Sequence, residues 1–356
     1  MSEELHEAVV LATPDDLSSR VAGVPLLVRT ILVLQRAGFE RVHVPGAIDV
    51  PSDPRIRISI GRETRPEGSH LVVGAGSVVD QVLVAAASRA RDGVCWERGG
   101  ARIERRPAEK MPRMMVPPAG TLLPATTPRR IVERALLRGL ENPHDGYLDR
   151  LIHRRLSRPL TRLLIRTPLT PNHVTVIGVA IGIGGGLLLG SDATSGVLAG
   201  VALLVLSGVL DCCDGEIARI KFTESRIGHL LDIVGDTLVH AALIAGIAMQ
   251  LAHAGAWPGR STLMLLGVGV VGSFVAITWS EHTEARRRQV ENAWENRVLD
   301  GVLSPLTTRD WYVFPIAFTL AGRLDELLPA AAWGAQAFWM TVLVLVWRVL
   351  RRAPAQ

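Results

Sequence analysis

The second half of this 356-residue chain is a succession of long apolar runs, and no other feature constrains its fold as much. A helix needs about 20 predominantly apolar residues to cross the hydrocarbon of a bilayer. The runs over 173–191, 195–217, 227–252, 261–280, 311–327 and 329–347 are read as six such spans. The fifth is the shortest in apolar length, because Trp311–Gly322 is followed at once by Arg323. Half of the aromatic residues are tryptophan, and Trp257, Trp279, Trp311 and Trp347 lie at run ends, where an interfacial belt places them.

Arginine distribution sets an expected orientation. The segment before the first span is Arg-rich, the second loop holds Arg219, Lys221 and Arg226, and the fourth holds Arg286, Arg287, Arg288, Arg297 and Arg309. The tail adds Arg348, Arg351 and Arg352, whereas the opposite loops carry little positive charge. By the positive-inside rule both termini are expected on the cytoplasmic side of the cell membrane. The formal net charge of +5 is explained by these clusters, and no nucleic-acid partner is expected. The N-terminal MSEELHEAVVLAT is acidic and lacks a basic region before an apolar core, so no signal peptide is expected. Cys95, Cys212 and Cys213 form no disulfide framework, and adjacent cysteines on a helix diverge by about 100°, a poor chelate.

The front half alternates differently. Ala8–Ala12 reads as a buried strand, Pro25–Ala37 as a helix stopped by Gly38, and Arg41–Val44 as a second strand, a β-α-β opening. His70–Val73 reads as a further strand, and Val94–Ile103 as a hairpin turning at Gly99-Gly100. Pro112–Pro128 reads as a Pro-rich linker and Arg129–Leu140 as a short basic helix. Over 147–167 (YLDRLIHRRLSRPLTRLLIRT) leucine and isoleucine recur at helical spacing with six arginines between them, the pattern of an amphipathic helix on a membrane surface. The expected organisation is a small α/β soluble domain (1–111), a linker with a short helix (112–145), and an α-helical integral membrane domain (146–352).

Between the second and third spans lies DCCDGEIARIKFTESRIGHLLDIVGD, residues 211–236. Charge this close to hydrocarbon is costly and marks function. Asp211 and Asp214 are three apart and share one helix face; Asp232 and Asp236 are four apart and share another. A tight connection makes the two helices neighbours, so the carboxylates face one another and repel unless divalent cations intervene. Mg²⁺ favours one or two carboxylates together with substrate phosphates, and two bridged ions could clamp a diphosphate. Gly215 and Ala218 leave room near the first pair, Arg219 can meet a phosphate, and Gly228 opens the facing helix at its start.

Written out, the spacing is D-x2-D-G-x2-A-R-x8-G-x3-D-x3-D, filled by Asp211, Asp214, Gly215, Ala218, Arg219, Gly228, Asp232 and Asp236. It resembles the signature of the CDP-alcohol phosphotransferases, also called CDP-alcohol phosphatidyltransferases. The resemblance implies a six-helix membrane domain, a homodimer, and a cytoplasm-facing polar cavity. It implies two divalent ions per subunit, Mg²⁺ or Mn²⁺, held by Asp211, Asp214, Asp232 and Asp236, with Asp236 also the general base. Asp211, Gly215, Ala218, Arg219 and Gly228 would bind the CDP moiety. The implied reaction is attack by an acceptor alcohol on the phosphorus nearer the donor alcohol, with CMP leaving. TPLTPNHVT (167–175) resembles the family's entry to its first span, which makes Asn172 and Thr175 candidate nucleotide contacts, although Pro171 and Asn172 also suit a plain helix start.

Residues 8–46 resemble the start of a sugar-phosphate nucleotidyltransferase. In LATPDDLSSRVAGVP, Arg20 and Pro25 remain, but Thr13-Pro14-Asp15-Asp16 stands where glycines would cradle a triphosphate. In LVVGAGSVVD (71–80), Gly74-Ala75-Gly76 stands where a metal-binding acid would be, and Asp80 lies too far along. The domain is therefore expected to be non-catalytic. The joint RALLRGLENPHDGYLDRLIHRRLS (134–157) is similar to that of bifunctional inositol-phosphate cytidylyltransferase/di-inositol-phosphate phosphate synthases.

Donor and acceptor stay open at this level. Arg226, His229, His240, His282 and Arg309 are acceptor candidates, and His240 lies one turn past Asp236. A CDP-diacylglycerol donor would place the chain in phospholipid biosynthesis; a CDP-inositol donor would yield a soluble diester. The first is favoured, because the front domain no longer looks able to make a CDP-polyol. A transporter or membrane anchor is the alternative outside enzymology, though no second copy of the motif marks repeated halves.

Overall fold

The run of apolar residues that opens the front half forms β1, Glu7–Val10, paired on both sides within a seven-stranded sheet. The computed structural model describes residues 5–64, 66, 68–90, 93–106, 113–115, 120–140, 153–253, 255, 259–290, 293–303, 314, 317–318 and 321–353. The chain divides into two compact units. The first comprises Met1–Glu141, Arg158–Pro171 and Gly215–Ser225; the second Asn142–Ser157, Asn172–Asp214 and Arg226–Gln356.

In the first unit β1 is followed by α1 (Pro14–Ser18), β2 (Arg20–Val21), β3 (Val24–Pro25), α2 (Leu26–Arg36), β4 (Arg41–His43) and β5 (Ser59–Gly61). Then come β6 (His70–Val73), β7 (Ser77–Val79), α3 (Gln81–Arg89), β8 (Val94–Arg98), β9 (Ala101–Arg106), β10 (Arg113–Met115), β11 (Leu122–Pro124) and α4 (Arg129–Arg138). The sheet order is β10-β8-β9-β6-β1-β4-β5, with β1 parallel to β4 and β6 and β9 antiparallel to β6 and β8. Leu27, Ile31 and Leu34 of α2 share one apolar face and are fully buried in a core with Ala8, Val42 and Leu71. Gly99 and Gly100 turn the β8–β9 hairpin with φ of +57° and +90°, as a two-residue turn of two left-handed positions requires.

Where glycines were absent from the expected phosphate loop, the chain makes a capped helical turn instead. Asp16 accepts from its own N-cap amide, Thr13, at 2.8 Å and from the Gly76 amide at 3.0 Å. Asp80 caps α3, accepting from the amides of Leu83 at 2.9 Å and Thr121 at 2.7 Å. Both carboxylates are thus engaged by backbone. The stretch read as a linker also carries structure: β10 pairs with β8, and β11 pairs with β7. Short strands that add to an existing edge need no hydrophobic alternation of their own, so the prolines around them dominated the pattern.

The helical region begins with α5, Arg154–Leu164; residues 147–152 of the expected amphipathic helix lie outside those described. Ser157 and Thr161 are buried while Leu156 and Leu163 are exposed, Leu163 by 63%. Leucines outward and hydroxyls inward invert the soluble pattern and suit a helix at a lipid surface.

Among the described residues, five further helices are long and apolar enough to cross a membrane: α6 (Pro171–Leu188), α7 (Thr194–Lys221), α8 (Arg226–His253), α9 (Arg260–His282) and, after short α10 (Glu284–Arg287) and α11 (Trp294–Val298), α12 (Leu324–Leu350). Large apolar side chains on α9 face outward, Phe274 at 71% and Met264 at 70% exposure. Such a surface is costly in water and natural in lipid, and the region is consistent with a multi-pass membrane protein.

Most of the expected fifth span, including Trp311, and also Trp257 and Arg309, lie outside the described residues. Residues 324–327, expected to close that span, instead form the first turn of α12, which continues through Pro329. Near a helix start a proline forfeits a single backbone bond, and Asp325 and Glu326 complement the positive helix pole there.

Glycines set how closely these helices pack. A Cβ at Gly186 of α6 would lie 2.6 Å from the Leu243 amide nitrogen of α8, and one at Gly246 would strike the Gly186 carbonyl. On another face of α6, a Cβ at Gly185 would lie 2.9 Å from the Gly200 carbonyl of α7. Small residues that let backbones meet are what drives helix association where water offers no hydrophobic force.

Candidate metal and nucleotide site

The same packing builds the acidic site. Residues 222–225 alone separate α7 from α8. A Cβ at Gly178 of α6 would lie 3.3 Å from Leu210, beside Asp211 of α7. Val179 covers Gly235 of α8, which sits between Asp232 and Asp236. These contacts bring one carboxylate oxygen each from Asp211, Asp232 and Asp236 within 4.8 Å of one another, all three half-buried. At an effective dielectric constant of about 20, two such charges repel by about 3 kcal/mol. Oxygen donors converging at this spacing fit a hard divalent cation, which removes that repulsion.

Asp214, one turn on from Asp211, lies outside that 4.8 Å triplet. It is buried, and its Oδ2 accepts a 2.6 Å hydrogen bond from the Thr175 hydroxyl in the first turn of α6. Thr175, a candidate nucleotide contact, is itself buried and donates that bond through its hydroxyl. Asn172 follows Pro171 in that same first turn. Gly228 opens α8, and His240 stands half-buried one turn beyond Asp236.

Gly215, Ala218 and Arg219 group with the first unit. The Arg219 guanidinium folds over Gly215, where a Cβ would meet Nη1 at 3.1 Å. Its Nε is buried without a hydrogen-bond partner among the described residues. Two features escaped sequence reasoning. Glu216 is buried and accepts a 2.6 Å bond from the Thr161 hydroxyl of α5. Its signal was a charged residue directly after Gly215 in a position the signature leaves free. The other is the Thr175–Asp214 pair, which no spacing rule links across 39 residues.

Membrane-length helices packed through glycines around converging carboxylates define a polytopic membrane protein with an acidic site. A profile of the CDP-alcohol phosphatidyltransferase family matches residues 168–352, more than half of the chain. The chain belongs to that family, a family of transferases. It is 33% identical over 139 residues to a bifunctional IPC transferase and DIPP synthase of Thermococcus kodakarensis, covering 39% of this chain and 30% of that one. The corresponding protein of Rubrobacter xylanophilus is 34% identical over 142 residues, covering 38% of this chain and 32% of the relative. A phosphatidylinositol phosphate synthase of Mycobacterium tuberculosis is 29% identical over 106 residues, 30% of this chain and 48% of that one. The matched stretch thus spans about a third of the length of the first two relatives. A crystal structure of the Mycobacterium tuberculosis phosphatidylinositol phosphate synthase with manganese and citrate covers 54% of this chain and 88% of that one at 21% identity, with a TM-score of 0.36, too loose a likeness to bear on chemistry.

Proposed function

We propose that this chain transfers a phospho-alcohol group from a CDP-alcohol to an acceptor alcohol and releases CMP, with CDP-diacylglycerol as the donor and phospholipid synthesis as the setting. The convergence of Asp211, Asp232 and Asp236 inside the family segment carries the proposal. Asp236 takes the proton of the acceptor hydroxyl. The freed oxygen bonds to the phosphorus nearer the donor alcohol, and the bond from that phosphorus to the CMP oxygen breaks, CMP keeping the electron pair. Arg219 offers a buried donor to the diphosphate, while Gly215, Ala218 and Gly228 leave space for the nucleotide. Asp211, Asp214, Asp232 and Asp236 would hold Mg²⁺ or Mn²⁺, two ions per subunit, whose positive charge when bound would offset the negative charge of the diphosphate and leaving group. Thr175 orients Asp214, and His240 lies near enough in sequence to Asp236 to meet the acceptor.

The proposal extends to architecture. Domain limits of 1–111 and 146–352, a sixth crossing near residues 311–322, a homodimer, and cytoplasmic N-terminal domain, site and C-terminus follow from the apolar runs, the arginine distribution and the family. The front domain is taken as nucleotidyltransferase-like and non-catalytic; engagement of Asp16 and Asp80 by backbone amides supports this. The names of the Thermococcus and Rubrobacter relatives favour one second reading, a CDP-inositol donor. The deciding experiment measures CMP release by the purified protein with Mg²⁺ or Mn²⁺ from a panel of CDP-alcohols, with and without acceptors. Release that requires donor and acceptor and is abolished in Asp236→Asn is expected. Release from CDP-inositol alone selects the second reading, and no release from any donor defeats both.

A further inference from the structure

The last turn of α7 carries Arg219 and ends at Lys221, and both residues lie in the first unit. A helix ends in carbonyls that no intrahelical N–H reaches, and they bear the negative pole of its dipole. Three arginines of the front domain answer them in register. Arg36 of α2 donates to the Arg219 carbonyl at 3.1 Å, Arg29 of α2 to that of Ile220 at 2.9 Å, and Arg55 to that of Lys221 at 2.6 Å. Arg55 is itself held by Asp53, through bonds of 2.8 and 2.6 Å, and Arg36 pairs with Glu224.

The backbone closes just beyond. The Thr223 amide donates to the Ala218 carbonyl at 2.9 Å, the long bond of a Schellman motif, which places Phe222 in the left-handed region at φ +56°. Glycine is the usual residue there because a Cβ is strained. Phenylalanine occupies it here with its side chain 9% exposed in the core of the sheet domain. Its ring centroid lies 4.2 Å from the Arg36 guanidinium and 5.2 Å from that of Arg29. Arg29 is only 5% exposed, and its Nε has no hydrogen-bond partner among the described residues. Desolvation, then the neighbouring Arg36, pulls its pKa down to about 10, with Asp80 opposing. Burying a guanidinium against a carbonyl and a ring instead of a carboxylate is an expensive way to end a helix. A glycine at 222 and an apolar residue at 29 would end it at lower cost, so the arrangement needs a reason beyond helix stability.

We propose that Arg29, Arg36, Arg55 and Phe222 are positioning residues that clamp the end of α7 and so set the pose of Arg219 for the donor nucleotide. The front domain then serves the transfer without chemistry of its own. This rests on Arg219 acting at the CDP moiety, as argued above.

The test uses the full chain in detergent and three variants: Arg36→Gln, Arg36→Lys and Phe222→Gly. CMP affinity with Mn²⁺ is measured by calorimetry, donor KM and kcat by CMP release, and amide exchange over 216–223 by mass spectrometry. Arg36→Gln and Phe222→Gly are expected to speed exchange there and to weaken CMP binding and raise donor KM by about tenfold, with kcat changed much less. Arg36→Lys, which keeps the cation, should recover most of the affinity. Phe222→Gly is the telling variant, since glycine relaxes the backbone while deleting the ring; should it not fold, Arg36→Gln decides alone. Variants whose CMP affinity and donor KM stay within about twofold of wild type, whatever their exchange, would overturn the clamp. A folded wild type that neither binds CMP nor releases it would instead overturn the nucleotide role of Arg219, and the positioning role with it.

Discussion

The hydroxyl of Thr175 on α6 donates a 2.6 Å hydrogen bond to the carboxylate of Asp214 on α7, and both residues are buried. Removing the donor takes one hydrogen bond from a carboxylate in a place with little water. A bond of this kind to a charged group is worth about 1.5–3 kcal/mol. Thr175→Val, nearly isosteric, is therefore expected to lower CMP-release activity by about 10- to 100-fold, and Thr175→Ser to retain most of it. Equal activity in Thr175→Val and wild type would show that Asp214 needs no such partner.

The cluster of Asp211, Asp232 and Asp236 predicts a stabilisation that does not depend on turnover. A ligand bound only by the folded state adds about 2.7 kcal/mol at a hundred times its Kd. Millimolar Mn²⁺ should raise the thermal midpoint of the wild type by several degrees and that of Asp232→Asn scarcely at all. An undiminished rise in Asp232→Asn would place the bound ion elsewhere.

Contact between α6 and α8 leaves no room for a side chain at Gly246, whose added Cβ would strike the Gly186 carbonyl. Gly246→Val should lower stability by about 1–3 kcal/mol, the usual penalty of overpacking, and reduce activity by spreading α8 from α6. Gly184, where a Cβ would meet nothing within 4 Å, is the internal control: Gly184→Ala should match wild type in both thermal melt and CMP release.

The Asp53–Arg55 pair predicts a pH dependence. Hydrogen bonding from Arg55 holds the Asp53 carboxyl below its ordinary value of 3.8, against a smaller desolvation effect. A depressed folded-state pKa means stability that is fully present above the unfolded value and is lost as pH falls through the folded one. The gap in thermal midpoint between wild type and Asp53→Asn should stay constant from neutral pH down to about 5 and narrow below about 4. A gap that widens on acidification would contradict the pairing.

Much of this could be read from residues alone. Strand β6 and the β8–β9 hairpin match their apolar runs closely, and α2 differs from its expected limits by one residue at each end. Local periodicity and turn chemistry decide such elements. Strands β7, β10 and β11 were not legible, because each is three residues long and owes its existence to an edge supplied by distant chain. At the site, the spacing placed Asp232 and Asp236 on one helix face and made α7 and α8 neighbours. It could not show that Thr175 bonds Asp214, since a bond across 39 residues depends on how α6 is packed. Nor could it show the purpose of Arg29 and Arg36, which as sequence are simply the polar positions of an amphipathic helix.

The four-residue link between α7 and α8 has a consequence for what mutation can do to this chain. Each residue inserted into a helix advances everything after it by about 100° around the axis. One alanine added between Gly228 and Asp232 would swing Asp232 and Asp236 more than a quarter-turn away from Asp211, or else force the glycine contacts of α8 out of phase with α6. A single substitution leaves that angle unchanged, whereas a change in length does not, so the residue count of this stretch behaves as an angular setting.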